Sequence, residues 1–202
     1  MLSSLKEDPI KRRVRKLGRS FYRRPAENLA RDLIGKVLVH RLGQTVMRVR
    51  IVETEAYVGE HDLACHASKG RTGRTEIMFG PAGFAYVYLI YGMHDMLNIV
   101  SGAVDDAEAV LIRAAEPLDG LRLDLSGPGK LTRALGITRA DNGVDLTGAS
   151  LFLMDDNAPR PRILRTPRIG VDYAGEWKDK LLRFYDADSR AVSKGGSFPA
   201  TS

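Results

Sequence analysis

Phe84–Tyr91 is an unbroken block of eight aromatic or aliphatic residues that ends at Gly92, and it predicts a strand. Met96–Ser101 and Ala109–Ala115 are two further apolar blocks joined by a turn around Asp105-Asp106, so three successive strands are expected as an antiparallel meander. Upstream, Pro25 opens and Gly35 closes a stretch whose Leu29, Leu33 and Ile34 fall on one side at helical spacing, which predicts a short amphipathic helix. Lys36–His40 and Val46–Glu55 then read as strands joined by a turn at Gly43. The interval Gly59–Gly83 is broken by six Gly or Pro residues (59, 70, 73, 80, 81 and 83) and is expected as loop. Ser126–Gly136 reads as a Gly/Pro lead-in to a short helix carrying Leu131, Ala134 and Leu135. Leu151–Met154 and Arg168–Val171 are expected as closing strands with a basic loop (Arg160, Arg162, Arg165) between them, and the Ser/Gly-rich stretch from Ser189 is expected to fray. No repeat or linker interrupts the pattern, which predicts one mixed domain.

Composition adds boundaries. At 202 residues with a 44% hydrophobic share, the chain can bury one core. Its single cysteine, Cys65, excludes an internal disulfide and a multi-thiolate zinc site, and the four histidines show no metal spacing. No metal and no organic cofactor is expected. No apolar run reaches the roughly 18 residues of a membrane span, and the basic N-terminus has no apolar signal region. The expected setting is intracellular and non-membrane. Residues 1–24 carry nine Lys or Arg against Glu7 and Asp8, whereas the remaining 178 residues hold 22 basic and 23 acidic side chains. The basic excess is thus a property of the N-terminal arm, as in an arm that meets phosphates or merely solubilises.

Candidate chemistry concentrates between Arg48 and Asn98, where four of the seven tyrosines lie. With regular alternation along Val46–Glu55, Val49, Ile51, Glu53 and Glu55 share one face. Two glutamates continuing an aliphatic face need partners if they are buried; if the strand ends near Glu53, both point to water. Tyr86 and Tyr88 share a face of their strand and serve equally well as core. Tyr91, beside Gly92 at a strand end, projects at a turn tip, the placement of an apolar wedge inserted between base steps. Asn98 and Arg113 are polar residues inside apolar strands. An amide there needs hydrogen-bond partners and a guanidinium needs a carboxylate.

These residues sit in motifs that closely resemble the mammalian-type alkyladenine (3-methyladenine) DNA glycosylases, a family that also occurs in bacteria. The motifs are RIVETEAY (50–57), the Asp62–His66 segment ending in ACH, MFGPAG (78–83), YVYLIYGMHDMLN (86–98), VLIRAAEPLDG (110–120), SGPGKLTRALGI (126–137) and RIGVDYAGEWKDKLLRFY (168–185). They follow the family order from Phe21 to about Lys194. The resemblance implies an α+β fold: a single mixed domain around a curved antiparallel β-sheet, with short flanking helices and a protruding β-hairpin. A glycosylase domain is expected over 21–195, between a flexible basic tail (1–20) and a frayed C-terminus (196–202).

The resemblance also implies roles. Glu55 would be the general base that activates water at C1′ of a flipped nucleotide, with Arg113 and the backbone near Ile169 holding that water. Tyr57 would stack on one face of the base and His66 and Tyr88 on the other, while Asn98 would exclude the guanine 2-amino group. Tyr91, with Met93 and His94, would fill the gap in the duplex. Lys69, Arg71, Arg74 and Lys130 are expected on the DNA backbone, and Glu53 is left with a structural part. The implied activity is monofunctional hydrolysis of alkylated or deaminated purines (3-methyladenine, 7-methylguanine, hypoxanthine, ethenoadenine) from double-stranded DNA. A monomer acting in the bacterial cytoplasm at the nucleoid is expected. Two alternatives stand beside it: a glycosylase/lyase using Lys69 or Lys130 as a Schiff-base amine, and a non-catalytic damaged-DNA or RNA binding module. Two departures from the family pattern, a short Leu118–Ser126 connection and His94 where an aromatic is more familiar, bear on lesion range and grip on DNA.

Overall fold

The computed structural model describes residues 14–193, in which nine strands form one sheet whose pairings are all antiparallel. In chain order they are β1 (Arg15–Lys16), β2 (Val37–Leu42), β3 (Thr45–Val58), β4 (Ala85–Ile90), β5 (His94–Ser101), β6 (Glu108–Pro117), β7 (Leu151–Asp155), β8 (Ile163–Thr166) and β9 (Arg183–Asp186). The main path runs β1-β7-β2-β3-β6-β5-β4, and β9 joins β3 while β8 joins β9. The helices are short: α1 (Arg19–Tyr22), α2 (Ala26–Leu33) and α3 (Pro128–Leu135). This is the α+β architecture expected, with the β4–β6 meander in place. No helix among the described residues is long and apolar enough to cross a membrane.

Strand alternation divides the interior into two sides. Ala85, Val87, Leu97, Ile99, Val110 and Ile112 join Leu29, Ala30 and Leu33 of α2 and Leu131 and Leu135 of α3 in the main core. Residues one step out of phase face the other way: Tyr86, Val100 and Ala109 pack with Cys65, Ala67, Met78 and Phe79 from the loop over the sheet's second face. Period two thus places the main core on one side of the meander and the aromatic cluster on the other.

The central strand breaks that period. β3 runs fourteen residues, three beyond the expected end, and the β3–β6 register slips between Ile51 and Thr54. Val49 and Ile51 face the main core, and so do Ala56 and Val58, which a strictly alternating strand would send the other way. Two adjacent bulges, Val52 extra on β3 and Arg113 extra on β6, restore the register and exchange the faces of everything beyond them. Glu53 and Glu55 therefore do not share the face of Val49 and Ile51, a correction to the regular-alternation expectation.

Three boundaries also differ. Arg15 and Lys16 pair with Asp155 and Met154 and Leu17 is buried, so part of the stretch expected as tail is built into the sheet; residues 1–13 of the basic arm lie outside the described residues. Arg168–Val171 forms no strand, because Arg168 is committed to a buried ion pair and Gly170 has φ +74°. The closing ladder is instead β8, which contains Arg165 of the expected basic loop, against β9. Ser189–Ser193 does not fray: Ser193 is buried and hydrogen-bonded to Glu53. Residues from 194 on, including the expected frayed C-terminus, lie outside the described residues.

Candidate active site

On the second face of the sheet a cavity of about 250 Å³ opens between β3–β6, the loop around Cys65-His66 and the segment Ile169–Tyr173. Tyr57, His66, Tyr88, Asn98, Arg113 and Ile169 all line it, so most of the residues expected at the site are brought together from six separate stretches.

Glu55 lies just beneath this lining, fully buried. Its Oε1 accepts the Ile169 N–H at 2.8 Å, and its Oε2 accepts Tyr57 Oη at 3.0 Å and Arg113 Nη1 at 3.3 Å. All three donors line the cavity although the carboxylate itself does not. The bulges explain why two glutamates can sit inward, where they face a basic cluster, not water. Burial alone would disfavour the Arg113 cation, but Glu55 and Glu53 outweigh it and hold its pKa above the ordinary guanidinium value. Burial, reinforced by Glu55, pushes the Tyr57 phenol well above its usual range, so its hydroxyl stays protonated and donates. Ile169, whose backbone was expected near the water, meets Glu55 through its N–H.

The aromatic side is held just as tightly. His66 meets Tyr88 edge-on with centroids 4.5 Å apart, and its Nδ1 lies 2.9 Å from Tyr86 Oη. Tyr86, which the sequence left open between core and site, thus orients the histidine. Arg168 lies over the Tyr57 ring at 4.7 Å and Arg74 over Tyr88 at 4.9 Å. Asn98 is buried opposite Tyr86 and donates from Nδ2 to the Tyr86 and Met96 carbonyls at 3.3 and 3.4 Å. Burial, with Arg74 and Lys69 nearby, lowers the His66 pKa to about 4. The folded state therefore resists a proton that the unfolded chain accepts at about 6.5. The stability tied to neutral His66 is complete above about 6.5 and is lost as pH falls from there to about 4. In proton NMR the His66 ring should titrate with a midpoint near 4 in the folded protein; an ordinary midpoint would contradict the burial argument.

At the cavity mouth the β4–β5 hairpin ends in Tyr91, Gly92 and Met93. Tyr91 adopts φ +52° and is 81% exposed, and Met93 is 70% exposed. His94 is not at the tip: it pairs with Ile90 as the first residue of β5 and is drawn back toward α3, its ring beside Gly129 and its Nδ1 3.4 Å from Arg133. The expected basic contacts are dispersed. Lys69 ends the 3₁₀ turn His66–Lys69, Arg71 is paired with Glu76 and Asp105, and Lys130 with Asp124.

Sequence reasoning missed four contributors. Tyr173, 72% exposed, also lines the cavity; an aromatic inside the 168–185 motif was its only signal. Asp62 and Arg168 form a bidentate pair at 2.5 and 2.8 Å with both side chains fully buried. Arg183 donates to Glu53 at 2.6 Å. Lone charges in loops or short strands gave no indication of these partners.

The family model described as "Methylpurine-DNA glycosylase (MPG)" matches residues 20–190. The chain is 54% identical over 184 residues (89% of this chain, 94% of the relative) to a protein of Myxococcus xanthus (strain DK1622) named "Putative 3-methyladenine DNA glycosylase". Proteins with the same name in Legionella pneumophila (strain Corby) and Methanocella arvoryzae are each 49% identical, covering 90% and 88% of this chain and 100% and 96% of their own.

Proposed function

The chain belongs to the methylpurine-DNA glycosylase family, and from that premise we propose that it excises damaged purines from duplex DNA by monofunctional hydrolysis, with Glu55 as the base. The observation that carries this is a fully buried carboxylate held by three donors beneath an aromatic-lined cavity. Among the described residues one donor, the Ile169 N–H, reaches Glu55 Oε1, which leaves that oxygen a lone pair for the proton of a water admitted beside Arg113 and Ile169. That proton passes to Glu55 as the water oxygen bonds to C1′. The N-glycosidic bond breaks with its electron pair going to the base, so a cationic methylated purine departs neutral. The electron-rich rings of Tyr57, Tyr88 and neutral His66 suit an electron-poor base, and buried Asn98 sets the limit on a 2-amino group. Tyr91 at the hairpin tip fits the gap left by a flipped nucleotide.

Duplexes carrying 3-methyladenine, 7-methylguanine, hypoxanthine or ethenoadenine test the reading. Free damaged base and an alkali-labile site are expected, with no borohydride-trapped adduct, since neither Lys69 nor Lys130 lines the cavity. Tight lesion binding without base release would establish a binding module instead.

A further inference from the structure

Beneath Glu55 lies a second carboxylate with a full set of partners. Glu53 is fully buried and accepts four donors: Arg113 Nε at 3.1 Å, Arg183 Nε at 2.6 Å, Ser193 Oγ at 2.9 Å and the Ser193 N–H at 2.7 Å. Three of these donors converge on Oε1 and the Ser193 N–H reaches Oε2, and Glu53, fully buried, is not part of the cavity lining where a water would be admitted. Its effect falls on Arg113. That guanidinium is held at Nε by Glu53 and at Nη2 by Ser193 Oγ (3.4 Å), so that Nη1 faces Glu55. Two glutamates and two arginines balance in charge, and Arg113 is shared between the glutamates instead of closing on one in a two-pronged pair.

We propose that Glu53, held by Arg183 and by Ser193 of the C-terminal segment, is the positioning residue of the catalytic centre. It aims Arg113 and takes part of that cation's charge, so that Glu55 is oriented yet still basic enough to take a proton from water. This rests on Glu55 being the base. Without Glu53 the Arg113 fork is free to close on Glu55, which is then better neutralised and a poorer base.

Single-turnover base release across pH tests this. The groups facing the carboxylates are Tyr57 on β3, Tyr88 on β4, Arg113 on β6, Arg168 in the loop after β8 and Arg183 on β9. Glu53→Gln removes one negative charge from this set. The acid limb of the rate profile should move to lower pH and the plateau rate fall about 10²-fold with lesion affinity unchanged. A wild-type rate, an unmoved limb or a loss confined to binding overturns the proposal. Should Glu53→Gln not fold, Ser193→Ala decides: a rate about tenfold lower at unchanged affinity, restored by Ser193→Thr, upholds it, and a wild-type rate overturns it. Glu55→Gln is run alongside. If that variant is fully active, the assignment of the base fails; if it is inactive while Glu53→Gln and Ser193→Ala behave as wild type, only the positioning role fails.

Discussion

Glu55→Gln is expected to lower single-turnover base release by about 10³-fold or more while the variant still binds lesion-bearing duplex. The amide is nearly isosteric, so the cavity walls contributed by Tyr57, His66, Tyr88 and Asn98 keep their places. What disappears is the proton acceptor. The carboxamide has one acceptor oxygen where the carboxylate has two, and Ile169 N–H, Tyr57 Oη and Arg113 Nη1 all aim donors at this group. At least one donor must then face an NH₂, so a modest fall in melting temperature should accompany the loss. Arg113 retains Glu53, which keeps its buried cation paired and the protein folded. Base release at the wild-type rate would remove Glu55 from the chemistry. A loss confined to lesion affinity would reassign it to binding.

The largest effect on stability is expected at Asp62 and Arg168. Both side chains are fully buried, and Asp62 also accepts the N–H groups of Val58 and Ala64. Burial works against the Arg168 cation, but Asp62 overcomes it and holds its pKa above the usual value. Asp62→Ala would strand that cation, whose Nε already lacks a hydrogen-bond partner. Removal of one partner from a buried pair costs about 3–5 kcal/mol, which urea unfolding would show as a lowered midpoint. The double variant Asp62→Ala, Arg168→Met should be less destabilised than the sum of its singles, because no unpaired charge remains. Singles each within about 0.5 kcal/mol of wild type would show that the pair contributes little. Activity should fall too: this pair ties the loop bearing His66 to the segment bearing Ile169, and Arg168 backs the Tyr57 ring.

Much of this molecule is legible locally. Phe84–Tyr91, Met96–Ser101 and Ala109–Ala115 become β4, β5 and β6 almost as their apolar blocks predict, and the helix between Pro25 and Gly35 becomes α2. The motif residues Glu55, Tyr57, His66, Tyr88, Asn98 and Arg113 converge on one cavity or its floor. The errors fall where the cause is distant in sequence. Ser189–Ser193 looked like a fraying end because small polar residues have no apolar face, yet Ser193 is fixed by a carboxylate 140 positions earlier. Arg168–Val171 resembled a strand by composition, but the Asp62 partner that pulls it out of the ladder lies 106 positions away. His94 adjoins the wedge in sequence, while its strand pairing turns it toward α3.

The sequence by itself determined the period-two strands, the short helices bounded by Pro and Gly and the turn chemistry, because each depends on neighbours a few residues apart. Only the tertiary structure decided which way the two glutamates face. Two adjacent shifts, an extra residue on β3 and then one on β6, invert the alternation after Ile51, and no local pattern marks them, since they arise from how β3 and β6 pair across the sheet. The same closure selects Arg113, Arg183 and Ser193 as partners for Glu53. Buried charges must find counter-charges wherever the folded chain brings them, and sequence distance does not enter that requirement.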